Sequence, residues 1–391
     1  MSVQPALTHT PTRFVLEGVP RIQFYEGGPR CPEDICLPSV LRAYLEYLGD
    51  ADLGCKHCLA SNPACKVFCT YSFFMGITGA AAFLSWKKGW HGDNVAVFYM
   101  SHDPAAPERH AFQAIGYAHE WLEKSPPEDN EPLFRQRILE SLQKGRPVIG
   151  YGIIGPPEPC LITGFDEGGE VLIGWNFFQQ LHDFNVGVEF EPTGQFRKRD
   201  WYKDTSCLLF VGEKNERPPL SESYRNALPW FLQVTRVPLV RSEPDAPEWY
   251  QGRANGLAAY TAWSEHILED AAFAADDEST LRQHHSVHNN AVGHLAEVRW
   301  YGSQFLLEAI NFLPYQMAED LLHAAALYAG EHDLMWKIWD LAGGIDNPQA
   351  YTIMSDPAIR RQMADLILEA RQKDLEAANY IEQALSKDPG N

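Results

Sequence analysis

The chain has 391 residues, of which 45% are hydrophobic and 21% are charged. This composition is typical of packed globular proteins and excludes a wholly disordered chain, and the length favours two or three domains. The 52 acidic residues outnumber the 32 basic ones and give a formal net charge of −20. Such a field repels phosphate backbones and anionic lipid surfaces, so we predict neither a nucleic-acid nor a membrane partner.

The sequence also carries no targeting pattern. No apolar run approaches the roughly 18 residues of a membrane span. The first residues, MSVQPALTHTPTRF, lack the charged region and apolar stretch of a signal peptide. These features predict a cytoplasmic location, where cysteines stay reduced.

The first part of the chain is mixed in pattern. Apolar residues from Val40 to Leu48 recur at helical spacing, with Pro38 suited to a helix start and Gly49 to its end. The following segments are predicted as a loop over 50–70, a buried helix running into a strand over 71–86, a strand over 95–100, and helices over 108–124 and 133–145.

Strand patterns then replace helical ones. Short β-type runs occupy 147–154, 160–165, 170–175, 186–192 and 206–212, and residues 166–169, Asp-Glu-Gly-Gly, predict a hairpin turn between the second and third of them. The segment KNERPPLSES is typical of a linker. Helical patterns follow over 219–234, 252–276, 278–312, 315–341 and 356–387. We therefore predict an α+β domain over residues 1–213 and an all-α helical bundle over 214–391.

Cys36 is the candidate nucleophile because it stands just before a predicted helix. The first N–H groups of a helix and its dipole stabilise a thiolate. A buried cysteine that packs as a small hydrophobe is the alternative interpretation.

The residues around Cys36 carry a family resemblance. PEDICLPSVLRAYLEYLGD is similar to the nucleophile helix of the butirosin biosynthesis protein H family, in which a cysteine precedes a Leu-Arg-x-x-Leu-x-Tyr-x-Gly pattern. YSFFMGITGAAAFLSW resembles the Gly-containing apolar segment that follows in that family. QKGRPVIGYG and CLITGFDEGGEVLIGW resemble the hairpin of the wider papain-like group, which includes bacteriocin leader peptidases. The resemblance implies a papain-like fold with a helical C-terminal domain.

The same resemblance implies cysteine chemistry on an acyl group. In butirosin biosynthesis the reaction is acyl transfer from a carrier-protein thioester to an amine. A small-molecule or carrier-protein-bound acyl substrate is therefore expected, and no cofactor.

The remaining catalytic positions follow from the hairpin match. The match puts Glu158 at the position of the base, normally a histidine six residues before Gly164, and the orienting residue at Trp175 or Asn176, of which Asn176 is chemically suitable. A carboxyl titrates near 4.3, so Glu158 could activate a thiol only with a strongly raised pKa. The oxyanion position is Arg30. His91 and His182 are the nearest histidines that could supply a base instead.

Two interpretations follow. The first is a cysteine-dependent acyltransferase or amide hydrolase that uses Cys36, Glu158 and Asn176. The second is a papain-like scaffold without catalytic activity, serving as a binding or assembly protein.

The second interpretation allows a structural metal. Cys55, Cys58, Cys65 and Cys69 lie within 15 residues and could bind zinc tetrahedrally or hold an iron–sulfur cluster, whereas an accidental cluster of core cysteines is the alternative.

The helical region adds two weaker signals. His285 and His288 are three residues apart and could share a metal or line a cleft, although surface positions are commoner for such histidines. The terminal segment RQKDLEAANYIEQALSKD alternates in charge, which is typical of a solvated face or of a contact in a homo-oligomer.

Overall fold

The computed structural model describes residues 11–26, 32–51, 66–94, 97–124, 130–237, 248, 251–273 and 277–390. The strands in these ranges are β1 (Phe14–Val15), β2 (Ser85–Lys87), β3 (Tyr117–Glu123), β4 (Val148–Tyr151), β5 (Pro159–Asp166), β6 (Val171–Trp175), β7 (Val188–Phe190), β8 (Phe196–Arg199), β9 (Cys207–Lys214) and β10 (Arg253–Asn255). The helices are α1 (Cys36–Tyr47), α2 (Lys66–Ile77), α3 (Ala106–Ile115), α4 (Glu131–Gln143), α5 (Trp201–Asp204), α6 (Leu220–Thr235), α7 (Leu257–Ile267), α8 (Glu278–Ala309), α9 (Ala318–Leu341), α10 (Ala350–Ile353) and α11 (Pro357–Ser386).

The chain forms two compact units. Residues 1–51 and 116–216 make up the first, called the sheet unit below. Residues 52–115 and 217–391 make up the second, called the helical unit. The protein is therefore mixed α+β with a helical C-terminal region, as the sequence predicts.

The sheet unit is built on one antiparallel sheet with the strand order β3-β9-β4-β5-β6-β8-β7, and β1 pairs with β5. The central strands β4 and β6 are buried along their whole length, and β5 is buried up to its last residue. Their apolar runs explain this placement, because a strand covered on both faces needs side chains of one kind throughout. Helix α1 packs against β5, and α4 contacts β1, β4 and β5.

The predicted hairpin is confirmed. Strands β5 and β6 pair antiparallel, with Leu161 opposite Trp175 and Asp166 opposite Val171. The turn between them is a short 3-10 segment over Glu167–Gly169, and the Asp166 carboxylate accepts a hydrogen bond from the Glu167 N–H at 2.8 Å. Gly174 is required in β6, because a Cβ there would lie 2.1 Å from the carbonyl oxygen of Leu161.

The helical unit is organised around long helices. Helix α9 lies between α8 and α11, and α11 also packs against α7 and α6. Helix α2 packs against α8, where a Cβ at Gly76 would lie 2.1 Å from the Phe305 ring. A two-stranded sheet of β2 and β10 joins the two parts of the chain within this unit. No helix in the described ranges is both long and apolar enough to cross a membrane.

The division between the units differs from the one predicted at residues 213 and 214. The end of the sheet lies close to the expected place, but residues 52–115 belong with the C-terminal helices. The reason is the apolar segment after the cysteine cluster, which supplies α2 to the contact with α8 and β2 to the pairing with β10. These contacts join residues far apart in sequence and leave no local pattern.

Three local predictions are wrong. In the predicted helix over 252–276, residues 253–255 form the strand β10 and the helix α7 covers only residues 257–267. Residues 97–99 of the predicted strand over 95–100 form a 3-10 turn, and residues 95–96 lie outside the described ranges. The predicted helix over 108–124 ends as α3 at Ile115, and Tyr117–Glu123 is the edge strand β3. Gly116, at φ 71°, terminates the helix, and the alternating burial along YAHEWLE fits a strand.

Candidate functional site

Cys36 is the first residue of α1, which begins two residues earlier than the predicted start at Pro38. Pro38 is still harmless at the third position, because the first four N–H groups of a helix have no partner within it. The residue before the helix, Ile35, has no side-chain acceptor to cap these groups. Cys36 itself is 6% exposed, so its sulfur lies at the positive end of a helix and away from most solvent.

A buried ion pair lies beside this helix start. The Glu33 carboxylate accepts hydrogen bonds from Arg42 Nε at 3.1 Å and Nη2 at 2.7 Å, and from the Ser39 hydroxyl at 3.3 Å. Both charged side chains are 4% exposed. Arg42 also reaches the half-exposed Glu46 at 3.1 Å. No sequence motif predicted this pair, since residues 33 and 42 follow no helical or strand spacing across a helix start.

The far end of α1 is held by a different contact. The hydroxyl of Tyr44 donates a hydrogen bond to the carbonyl oxygen of Pro147 at 3.1 Å, just before β4. Burial raises the pKa of this phenol far above its usual range, and the Tyr44 side chain stays a neutral donor. Along the helix axis Cys36 lies about 12 Å from Tyr44.

Glu158 and Asn176 occupy the open end of the β5–β6 hairpin, as predicted from the pairing. Glu158 directly precedes β5, and its N–H donates to the Pro156 carbonyl at 2.7 Å. Asn176 directly follows β6. Glu158 is partly buried, whereas Asn176 is 1% exposed.

The Asn176 side chain organises the loop around it. Its Oδ1 accepts a hydrogen bond from the Phe178 N–H at 2.7 Å, and its Nδ2 donates to the Ile154 carbonyl at 3.3 Å. The described hydrogen bonds of this side chain therefore link the loop before β5 to the loop after β6, and none of them goes to a histidine.

Cys160 is a second thiol at this end of the hairpin. Burial raises its pKa to about 12, even though the Asn176 amide favours the charged form. Cys160 is fully buried, so its thiol is protonated and unreactive at neutral pH. No sequence motif singles out this residue, because one cysteine inside an apolar strand is typical of core packing.

Aromatic side chains line the loop after Asn176. The Phe24 ring lies 5.0 Å from that of Phe177 and 5.3 Å from that of Phe178, and Phe178 lies 5.5 Å from Phe184. Phe184 is 41% exposed. The hairpin end therefore offers an apolar surface beside the buried amide of Asn176.

The other predicted base and oxyanion residues have different outcomes. His182 is fully exposed and lies 3.8 Å from the carboxylate of its neighbour Asp183. His91 is exposed and belongs to the helical unit. Arg30 lies outside the described ranges.

Of the predicted zinc ligands, Cys55, Cys58 and Cys65 lie outside the described residues, and Cys69 belongs to α2. The cysteine site therefore stays a prediction. No group of three or more histidine, cysteine or acidic ligands occurs in the ranges that the structure describes.

His288, one of the two predicted ligands, and His266 are buried in an aromatic core of the helical unit, whereas His285 is only partly buried. His288 Nδ1 accepts a hydrogen bond from the indole N–H of Trp263 at 3.1 Å, and His266 Nδ1 accepts one from Trp86 at 2.6 Å. The two indole rings stack at 5.5 Å. Burial lowers the pKa of His288 to about 3, so its ring is neutral at physiological pH.

Comparison with known proteins adds no assignment: no family model and no curated protein matches the chain. The resemblance to the butirosin biosynthesis protein H family therefore rests on the quoted sequence segments alone.

Proposed function

We propose that the sheet unit is a papain-like domain that uses Cys36 to transfer a small acyl or aminoacyl group. The observation that carries the proposal is the position of Cys36 as the first residue of a helix packed against β5. Strand β5 belongs to the hairpin that bears Glu158 and Asn176. A nucleophile helix against the sheet that carries the remaining catalytic groups is what the family resemblance implies.

The identity of residue 158 favours a thioester as the acyl donor. Cleavage of an amide needs an acid to protonate the leaving amine, the role that an imidazolium ion fills in Cys–His enzymes. A thioester releases a thiolate, which is a good leaving group without protonation. Glu158 in the histidine position removes that acid, so acyl transfer from a thioester, such as one on a carrier protein, suits the site better than amide hydrolysis.

The reaction has two balanced steps. The Cys36 thiolate attacks the thioester carbonyl, a carbon–sulfur bond to Cys36 forms, and the donor leaves as a thiolate. An amine then attacks the acyl-cysteine, an amide bond forms, and the Cys36 thiolate is regenerated. The proton lost by the attacking amine goes to the thiolate of the acyl donor released in the first step, directly or through the Glu158 carboxylate.

Alkylation with iodoacetamide across pH tests the first requirement. Peptide mapping of the intact protein should report a Cys36 thiol with a pKa below about 7.5, depressed by the helix N-terminus. Cys160 serves as the internal control, because its buried thiol should remain unlabelled up to pH 9. An ordinary Cys36 pKa would remove the basis for a thiolate nucleophile.

Acylation with a simple thioester tests the chemistry. Incubation with acetyl-N-acetylcysteamine should add one acetyl group to Cys36, detected by mass, and a primary amine should discharge it. Cys36→Ala should abolish the adduct, whereas Cys207→Ala, which removes a partly buried thiol from β9, should retain it. An adduct that survives Cys36→Ala would reject the proposal.

A non-catalytic binding or assembly protein is the second candidate. It is favoured by the hydrogen bonds of Asn176, which organise two loops rather than orient a catalytic base. In that case Cys36 would titrate as an ordinary buried thiol, and Cys36→Ala would cost on the order of 1 kcal/mol of stability.

A further inference from the structure

The buried ion pair between Glu33 and Arg42 encloses Cys36 in the sequence. Glu33 lies three residues before Cys36, and Arg42 lies six residues after it, in the second turn of α1. Their closest atoms are 2.7 Å apart. The contact therefore links the segment before the helix to the helix itself, and Cys36 lies in the stretch of chain between the two linked residues.

Burying this ion pair carries a cost in folding free energy. Removing two charges from water carries a desolvation penalty that their attraction only partly repays. Three donors converge on Glu33 Oε2, two from Arg42 and one from Ser39 in the first turn of α1. The Ser39 contact brings the carboxylate to the turn that begins with Cys36.

The two charges would also affect the ionisation of a thiol at the start of α1. A carboxylate beside the helix start opposes a thiolate, because like charges disfavour the ionised form of each other. The Arg42 guanidinium cancels that charge and leaves the positive end of the helix dipole to act on Cys36.

We infer that Glu33 and Arg42 are positioning residues for Cys36: they fix the turn at which α1 begins and keep the local charge balanced around the thiol. The inference concerns the site of the proposed function and rests on it for its catalytic meaning. Its electrostatic content can be measured whether or not Cys36 is a nucleophile.

The test is the pH dependence of Cys36 alkylation by iodoacetamide in charge variants of the whole chain. Glu33→Gln leaves a cation and should lower the pKa of Cys36 by about one pH unit, and Arg42→Met leaves an anion and should raise it by a similar amount. The double variant Glu33→Gln/Arg42→Met should restore the pKa to within a few tenths of the native value. A matched control is Glu120→Gln, which breaks the exposed pair between Glu120 and Arg137 on β3 and α4 and should leave Cys36 unchanged.

Shifts of the same sign in both single variants, or none, would overturn the inference, since a purely structural contact has no reason to give opposite signs. If one single variant does not fold, the other and the double variant still give the sign. If neither single variant folds, a Cys36 pKa in the double variant that differs from the native value by more than one pH unit overturns the inference. The proposed function fails separately, through an ordinary pKa of Cys36 in the native chain.

Discussion

The guanidinium of Arg299 on α8 lies 2.8 Å from the carboxylate of Asp374 on α11, and neither side chain is exposed to solvent. Arg299 also lies 3.2 Å from Glu331 on α9, which is equally buried. Burial, followed by the neighbouring Asp374 charge, raises the pKa of Glu331 well above its usual range. One cation thus links three helices of the helical unit. The raised pKa of Glu331 favours the neutral form of that carboxyl.

Loss of Arg299 should therefore destabilise the protein severely. Arg299→Met leaves Asp374 without its cation, and we expect a loss of about 3–5 kcal/mol in the free energy of unfolding. Urea unfolding followed by tryptophan fluorescence measures it. The control is Arg282→Met, which breaks the exposed pair with Glu278 on the same helix and should cost less than about 1 kcal/mol. Equal losses of unfolding free energy in the two variants would show that the buried network contributes no more to stability than an exposed ion pair.

The buried histidines should make stability depend on pH. Burial lowers the pKa of both His288 and His294 to about 3, against roughly 6.5 in an unfolded chain. Between these values the unfolded state binds more protons, so stability is fully present above pH 6.5 and falls as the pH drops towards 3. Each histidine should contribute about 1.4 kcal/mol per pH unit within that window.

The variant His288→Asn tests this assignment. An asparagine Oδ1 can accept the Trp263 hydrogen bond in place of Nδ1, but it does not titrate. Thermal melts from pH 7 to pH 4 should show a smaller loss of Tm in His288→Asn than in the native chain. His182→Asn, at a fully exposed position, should melt with the native pH dependence. A pH profile unchanged by His288→Asn would contradict the burial of a neutral ring.

The predictable parts of the fold are those with a local pattern. The β5–β6 hairpin shows two apolar runs around a polar, Gly-containing turn, and α1 shows apolar residues at helical spacing, so both were recognised. Strand β3 was missed because its sequence follows a helical stretch without a break except Gly116. Strands β2 and β10 have three residues each and pair across more than 160 positions, a relationship that no local pattern can carry.

The candidate site divides in the same way. The positions of Cys36 at a helix start and of Glu158 and Asn176 at the hairpin end follow from element order, which the sequence contains. The Glu33–Arg42 pair and the hydrogen bond from Asn176 to the Ile154 carbonyl depend on tertiary packing. The sequence does not distinguish a buried charged residue from an exposed one, so these contacts could be identified only from the structure.

Asn176 gives a prediction that separates a structural role from a catalytic one. Asn176→Ala removes the partners of the Phe178 N–H and the Ile154 carbonyl, and we expect it to destabilise the protein by about 1–3 kcal/mol. It also removes the amide that favours the Cys160 thiolate, so that thiol should stay unreactive. Thermal unfolding measures the first effect and iodoacetamide mapping the second. Native stability combined with lost acylation of Cys36 would instead identify Asn176 as part of the catalytic machinery.

Gly76 supplies a test of the packing that draws residues 66–77 into the helical unit. A Cβ at this position would lie 2.1 Å from the Phe305 ring, so Gly76→Ala forces α2 away from α8. We expect a loss of about 1–3 kcal/mol in the free energy of unfolding, the usual cost of overpacking. Because Phe305→Leu makes room at the contact, the double variant Gly76→Ala/Phe305→Leu should be more stable than the sum of the two single changes predicts.

Gly92→Ala is the control, since a Cβ there meets no atom within 4 Å, and it should leave urea unfolding unchanged. Additive single and double variants would mean that Gly76 and Phe305 do not touch, and the placement of α2 against α8 would then be incorrect.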